Sequence, residues 1–205
     1  MTYLILHGSF GSPEENWFPW LKLKLEEKGH KVYLPKLPVD DFDNFKPENK
    51  PIQNLESWLH AVHPILKEII ESADDLTIIA HSISPAFVLS LMQAEPKLKL
   101  KKLIAVAPFL HHGEASKIWQ IEKVNDSFLK AAEELISDPA GLNTVKSRIG
   151  ETIVIYSDND PYVNPGESIE YSELLDARPV EIKGGGHFNT EAGYTKFEQL
   201  LNLVY

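Results

Sequence analysis

Six short apolar runs constrain what this chain can become. Residues 3–6, 31–34, 76–80, 103–107, 152–156 and 179–182 have the length and the β-branched or aromatic content of strands. Helical stretches separate them. Glu14 to Lys28 carries Trp17, Trp20, Leu21 and Leu25 on one side and ends at Gly29. Pro51 opens a second helix, with Ile52, Leu55, Leu59, Val62, Leu66 and Ile69 as its buried stripe and a kink expected at Pro64. A third begins at Ser84. A fourth runs from a cap at Asn125 or Asp126 to Ile136, a fifth covers 167–175, and Thr190 caps a last one that reaches the C-terminus. Alternation of this kind from end to end means a parallel sheet with helices on both faces. Two stretches break the rhythm. The loop from Pro38 to Pro51 is polar, and its Asp40, Asp41 and Asp43 read as a solvated face or as one wall of a site. Phe109 to Arg148 is the least regular part.

The 205 residues suffice for one domain with a substantial core, and no repeat, linker or low-complexity stretch divides residues 1–205. A formal net charge of −10 argues against nucleic-acid and anionic-membrane partners. No apolar run approaches the roughly 20 residues of a membrane span. Met1 to Gly8 enters a strand at once without a basic leader, so a cytoplasmic protein is expected. With no cysteine, disulfides and a thiol nucleophile are both excluded. No feature indicates a protein partner.

The chemistry centres on Leu76 to Phe87. Ser82 sits at the turn between the apolar strand and a helix whose Phe87, Val88, Leu91 and Met92 recur at helical spacing. That is the setting of a nucleophile elbow, which usually reads Gly-x-Ser-x-Gly. Here it reads Ala80-His81-Ser82-Ile83-Ser84, with the next smallest side chains where the turn is crowded. The pentapeptide alone is a weak signal, because serines after strands are common. A serine hydroxyl also needs a base and a group that orients the base. His187 follows a strand in Gly184-Gly185-Gly186-His187-Phe188. Asp158 and Asp160 follow another in Ser157-Asp158-Asn159-Asp160-Pro161. In a parallel sheet all these loops leave the same edge. The order Ser82, Asp160, His187 is that of Ser…Asp…His hydrolases.

On these residues the chain resembles the α/β-hydrolases, most closely the small serine hydrolases that include retinoblastoma-binding protein nine and its bacterial relatives. The resemblance covers essentially the whole chain. It rests on His7-Gly8, His81-Ser82, Asp160-Pro161 and Gly186-His187-Phe188. It implies a single α/β-hydrolase domain, a three-layer sandwich of about six parallel strands. The family's acid pattern matches Ser157, Asp160 and Val163, which favours Asp160 over Asp158. The resemblance also implies an oxyanion hole made by the backbone N–H groups of Ile83 and Ser9, with Phe10 as the fallback. The activity implied is carboxylesterase-like: Ser82 attacks a small acyl ester, His187 is the base, Asp160 orients it, and an acyl-enzyme forms. Neither metal nor organic cofactor is required.

The other signals are blander. His81 reads as a packing and hydrogen-bonding residue, and His60 and His63 as surface residues. His111-His112 lack a carboxylate at ligand spacing, so metal binding is not expected. Trp17, Trp20, Trp119 and Phe109 read as core or pocket-rim aromatics. Two function classes remain open at this level: a serine hydrolase, or a binding protein on a hydrolase fold with an unused triad. Peptidase, thioesterase and lactonase chemistry share the same triad. The short irregular segment leaves little for a lid, so small acyl substrates at an open site are expected.

Overall fold

The computed structural model describes residues 1–41, 46, 50–72, 75–110, 126–136 and 141–205. Strands β1 (Thr2–Leu6), β2 (Lys31–Tyr33), β3 (Leu76–His81), β4 (Leu100–Val106), β5 (Ile149–Tyr156) and β6 (Arg178–Glu181) form one six-stranded sheet. Its order is β2-β1-β3-β4-β5-β6, and every neighbouring pair is parallel. Parallel neighbours need crossovers. The described helices are α1 (Phe18–Glu26), α2 (Leu55–Ser72), α3 (Ser84–Ala94), α4 (Asp126–Glu133), α5 (Leu142–Lys146), α6 (Pro165–Leu174) and α7 (Glu198–Val204).

Alternation along the strands sorts the core into two layers. Leu4, Leu6, Ile78, Ala80, Leu103, Ala105 and Val154 face a cluster that includes residues of α2, α3, α4, α5 and α6. Tyr3, Ile5, Ile79, Ile104, Val106, Ile153 and Ile155 face the other, closed by α1 and α7. Side chains point to opposite faces at successive positions, so apolar runs without polar interruption belong to a sheet covered on both sides. α3 is buried at every position from Ser84 to Met92. The helix behind Ser82 is therefore among the most firmly enclosed elements.

Several boundaries differ from the sequence expectation. β4 and β5 start three residues early, because Leu100 pairs with Ile149 beyond the continuous apolar run. Gly150 is needed there: a Cβ would stand 2.8 Å from the Lys101 carbonyl oxygen. α1 starts at Phe18 with Pro19 in its first turn, after Asn16 in a left-handed conformation (φ 53°). α2 begins at Leu55 rather than Pro51. Asn54 and Ser57 exchange side-chain-to-backbone hydrogen bonds of 2.9 and 3.2 Å, a reciprocal cap. Ile52 is therefore outside the helix and 54% exposed, and Trp58 takes the buried place, donating to the Pro38 carbonyl at 2.7 Å. Pro64 lies within the helix. Asp40 is no solvated residue: it is buried and accepts the N–H groups of Ile52 and Gln53. Thr190 does not cap the last helix. Asn189 caps a single 3₁₀ turn over Thr190–Ala192, Gly193 ends it at φ 87°, and α7 follows separately. α5 was not expected. Asp43, His111, His112, Trp119 and Asn125 lie outside the described residues, and Asp126 is the first residue of α4. Among those described, no helix is long and apolar enough to cross a membrane.

Candidate active site

The chain passes from β1 to β2 on one side, then crosses to β3 on the other. The strand order reverses there, and in sheets of this kind ligands bind outside the carboxyl ends of the strands at such a point. Ser82 stands directly past β3, with a left-handed backbone (φ 63°). Such a conformation costs a non-glycine residue about 1–2 kcal/mol and persists only where its surroundings impose it. They do here. The Ser82 N–H donates to the Val106 carbonyl, and its own carbonyl accepts from the Phe109 N–H, both at 2.9 Å. α3 starts two residues later, so the positive end of the helix dipole adjoins the hydroxyl.

The replacements in the pentapeptide fit the turn. Ala80 is fully buried between its sheet neighbours Leu6 and Ala105. Ser84 is buried and donates its hydroxyl to the His7 carbonyl, which joins the elbow to the loop after β1. The next residue of that loop, Gly8, leaves no room for a side chain: a Cβ would stand 2.7 Å from the Ser82 Cβ. His7 itself is fully buried. Its Nδ1–H donates to the Gly8 carbonyl at 2.9 Å, and its Nε2 accepts the Leu37 N–H at 3.0 Å. That pairing fixes a neutral ring, consistent with a pKa pushed down by burial.

His187 arrives on the loop after β6. Gly184, Gly186 and Phe188 all have positive φ, which explains the glycines. Its Nε2 lies 3.1 Å from the Ser82 hydroxyl oxygen, and its Nδ1–H donates to Asp160 Oδ2 at 2.7 Å. The other Asp160 oxygen accepts the N–H groups of Tyr162 and Val163 at 2.8 and 3.0 Å. Three side chains from the ends of β3, β5 and β6 thus form one hydrogen-bonded line. The carboxylate holds the proton on Nδ1 and leaves the Nε2 lone pair toward the serine. Asp158 stands apart. It is exposed and accepts the Gly184 N–H at 2.8 Å. Asn159, unmarked in the sequence reading, accepts the Gly186 N–H at 2.7 Å, so the acid loop grips the histidine loop directly. The only sequence signal for it was an Asx residue inside a turn.

Two further side chains hold the backbone of that loop. His81 donates Nε2–H to the His187 carbonyl at 2.8 Å, and Trp17 donates its indole N–H to the Phe188 carbonyl at 2.9 Å. Burial first, and then the charge of neighbouring His187, push the His81 pKa down to about 3. His81 is thus neutral when folded but takes up a proton near pH 6.5 when unfolded. The unfolded chain binds more protons between those values, so stability is full above about pH 6.5 and falls as the pH drops below it. Between pH 6.5 and 5, this residue's share of the slope is expected to approach about 1.4 kcal/mol per pH unit. His81→Gln keeps a donor and removes the titration. Urea unfolding at both pH values should show a flatter slope for that variant, and an unchanged slope would place the acid sensitivity elsewhere.

Beside Ser82 lies a small recess bordered by Ser9, Ile83, Phe109, Phe128, Ala132, Tyr162 and Val163. Neither the Ser9 nor the Ile83 N–H donates to a protein acceptor among the described residues. A larger hollow, of about 370 Å³, is bordered by Lys146, Gly150, Glu151 and Arg178. It opens at the amino end of β5 and β6, away from Ser82. Among the described residues no group of three or more His, Cys, Asp or Glu side chains is placed to hold a metal ion.

Residues 3–205 match the family model for serine hydrolases. The chain belongs to the serine hydrolase family. It is 26% identical over 203 residues to the YdeN protein of Bacillus subtilis (strain 168), covering 98% of this chain and 90% of that protein. The crystal structure of the B. subtilis ydeN gene product superposes with a TM-score of 0.75 at 22% identity, over 99% of this chain and 96% of that one. A meta-cleavage product hydrolase from Pseudomonas fluorescens, CumD, superposes at 0.67 with 16% identity, over 100% and 89% of the two chains. The shared fold is that of the α/β-hydrolases. Of the residues singled out in the sequence, Ser82, Asp160, His187, Ser9 and Ile83 come together, whereas His60 and His63 are exposed on α2.

Proposed function

We propose that this serine hydrolase cleaves ester bonds through an acyl-enzyme on Ser82. The observation that carries the reading is the continuous line from the Ser82 hydroxyl through His187 to Asp160, with contacts of 3.1 and 2.7 Å. Ser82 Oγ attacks the carbonyl carbon while its proton passes to His187 Nε2. Asp160 keeps the imidazole oriented and stabilises the imidazolium as it forms. The developing oxyanion is met by the N–H groups of Ser9 and Ile83. The tetrahedral species collapses, the C–O bond to the alcohol breaks, and His187 returns the proton to the departing oxygen. Water then enters, gives a proton to His187 and attacks the acyl carbon. Collapse releases the carboxylic acid and restores the Ser82 hydroxyl. The left-handed backbone of Ser82 is part of this, since it presents the hydroxyl beyond the strand end, clear of the sheet.

The test is hydrolysis of p-nitrophenyl acetate by the native chain and by Ser82→Ala. The native chain is expected to turn over, and the variant to lose roughly 10³-fold or more in kcat with its fold intact. Equal activity in both would exclude Ser82 as the nucleophile.

A further inference from the structure

The recess beside Ser82 has walls that do not give. Phe128, Ala132, Phe109, Ile83 and Val163 are each less than 5% exposed, and all belong to the main core cluster. Phe128 is stacked on Phe10, with ring centroids 4.8 Å apart and planes within 8°. Phe10 is itself set by a left-handed backbone, φ 55°, in the loop after β1. Enlarging the recess means moving Phe128 against that ring or into a close-packed interior, and both are costly. The recess volume is about 30 Å³. That is the space open to the centre of a water-sized sphere, of which one water needs about 10–15 Å³, so the recess takes about two or three waters or a chain of about two or three carbons.

The reaction geometry says which part of an ester enters it. The carbonyl oxygen goes to the N–H groups of Ser9 and Ile83. The departing oxygen must lie near His187 Nε2, and His187 does not border the recess. The remaining substituent of the carbonyl carbon is the acyl chain, and the recess is apolar apart from Ser82, Ser9 and Tyr162.

We propose that the recess walled by Phe128 and Ala132 is the acyl site and restricts this hydrolase to short-chain acyl groups, with Phe128 as the residue that sets the limit. This rests on Ser82 being the nucleophile. Discrimination is therefore expected to fall on the acid half of the ester.

The experiment compares p-nitrophenyl acetate, butyrate and hexanoate with the native chain, Phe128→Leu and Phe128→Ala. The native chain should favour acetate over hexanoate in kcat/KM by about tenfold or more, the size expected when methylenes do not fit a pocket. Phe128→Ala should raise the hexanoate-to-acetate ratio by at least about tenfold, and Phe128→Leu, which disturbs packing less, by an intermediate amount. A native preference for hexanoate, or a ratio unmoved in Phe128→Leu while that variant is folded, overturns the proposal. Covalent labelling separates this from failure of the catalytic reading. Methylphosphonofluoridate and hexylphosphonofluoridate esters are offered to the native chain, and the labelled residue is identified by mass spectrometry. Labelling of Ser82 by the methyl reagent alone supports the acyl site. Equal labelling by both leaves the nucleophile standing and overturns the acyl limit, and labelling by neither overturns both.

Discussion

Asp160→Asn is expected to lower kcat by about 10³–10⁴-fold while leaving the fold in place. The reason lies in how the carboxylate divides its oxygens. Oδ1 accepts two backbone N–H groups, from Tyr162 and Val163, and Oδ2 accepts Nδ1–H of His187. An asparagine has one acceptor oxygen. If that oxygen keeps the two backbone bonds, the amide NH₂ faces His187 Nδ1. The imidazole then adopts the other tautomer, with its proton on Nε2 toward Ser82, and is unable to take the serine proton. If the amide turns over instead, its NH₂ meets two backbone donors and the turn at residues 160–163 loses both bonds. Either way the base is disabled or misplaced. Asp158→Asn should cost little, because the side chain is exposed and its amide oxygen still accepts the Gly184 N–H. Steady-state kinetics of the two variants, with circular dichroism as the control for folding, make the comparison. The reverse ranking would assign the acid to Asp158.

Gly8→Ala is expected to damage turnover from a position that carries no functional side chain. A Cβ at residue 8 would meet the Ser82 Cβ at 2.7 Å, with the Ser82 hydroxyl oxygen and the His81 carbonyl each at 3.2 Å. Ser82 has little freedom to yield, being tied to Val106 on one side and to Phe109 on the other. The loop after β1 is tied as well, through the His7 ring and through the bond from Ser84. One of the two must shift. A displacement of about 1 Å moves the hydroxyl off its line to His187, or the Ser9 N–H off the oxyanion, and costs on the order of 10²-fold in kcat. Overpacking should also lower stability by about 1–3 kcal/mol. Gly29→Ala separates the effects. It has φ 78° but nothing within 4 Å of an added Cβ, so it should lose stability and keep kcat. Denaturant unfolding and kcat measured on both variants decide it. A Gly8→Ala enzyme with native kcat would show that the two loops do not press together.

The acid sensitivity expected from His81 and the loss of activity expected from Gly8→Ala have a common source: the site is assembled from backbone as much as from side chains. Strand-to-strand alternation was readable from periodicity, because a sheet covered on both faces demands apolar runs. The three candidate side chains were readable because they follow strands, and the carboxyl ends of parallel strands share one edge. Element boundaries were less so. The caps at Asn54 and Asn189 and the backbone pairing at Leu100 override the apolar pattern locally, and side-chain caps and backbone hydrogen bonds are what periodicity does not weigh.

The sequence by itself determined the parallel α/β architecture and the three post-strand loops that carry Ser82, His187 and the pair Asp158 and Asp160. The tertiary structure decided which aspartate meets His187, because Asp158 and Asp160 are two residues apart and only the turn's two N–H bonds aim one of them inward. It also decided what Asn159, His81 and Trp17 hold. Their partners lie 27, 106 and 171 residues away along the chain, and local sequence carries no record of contacts that form only when the sheet brings its loops to one edge.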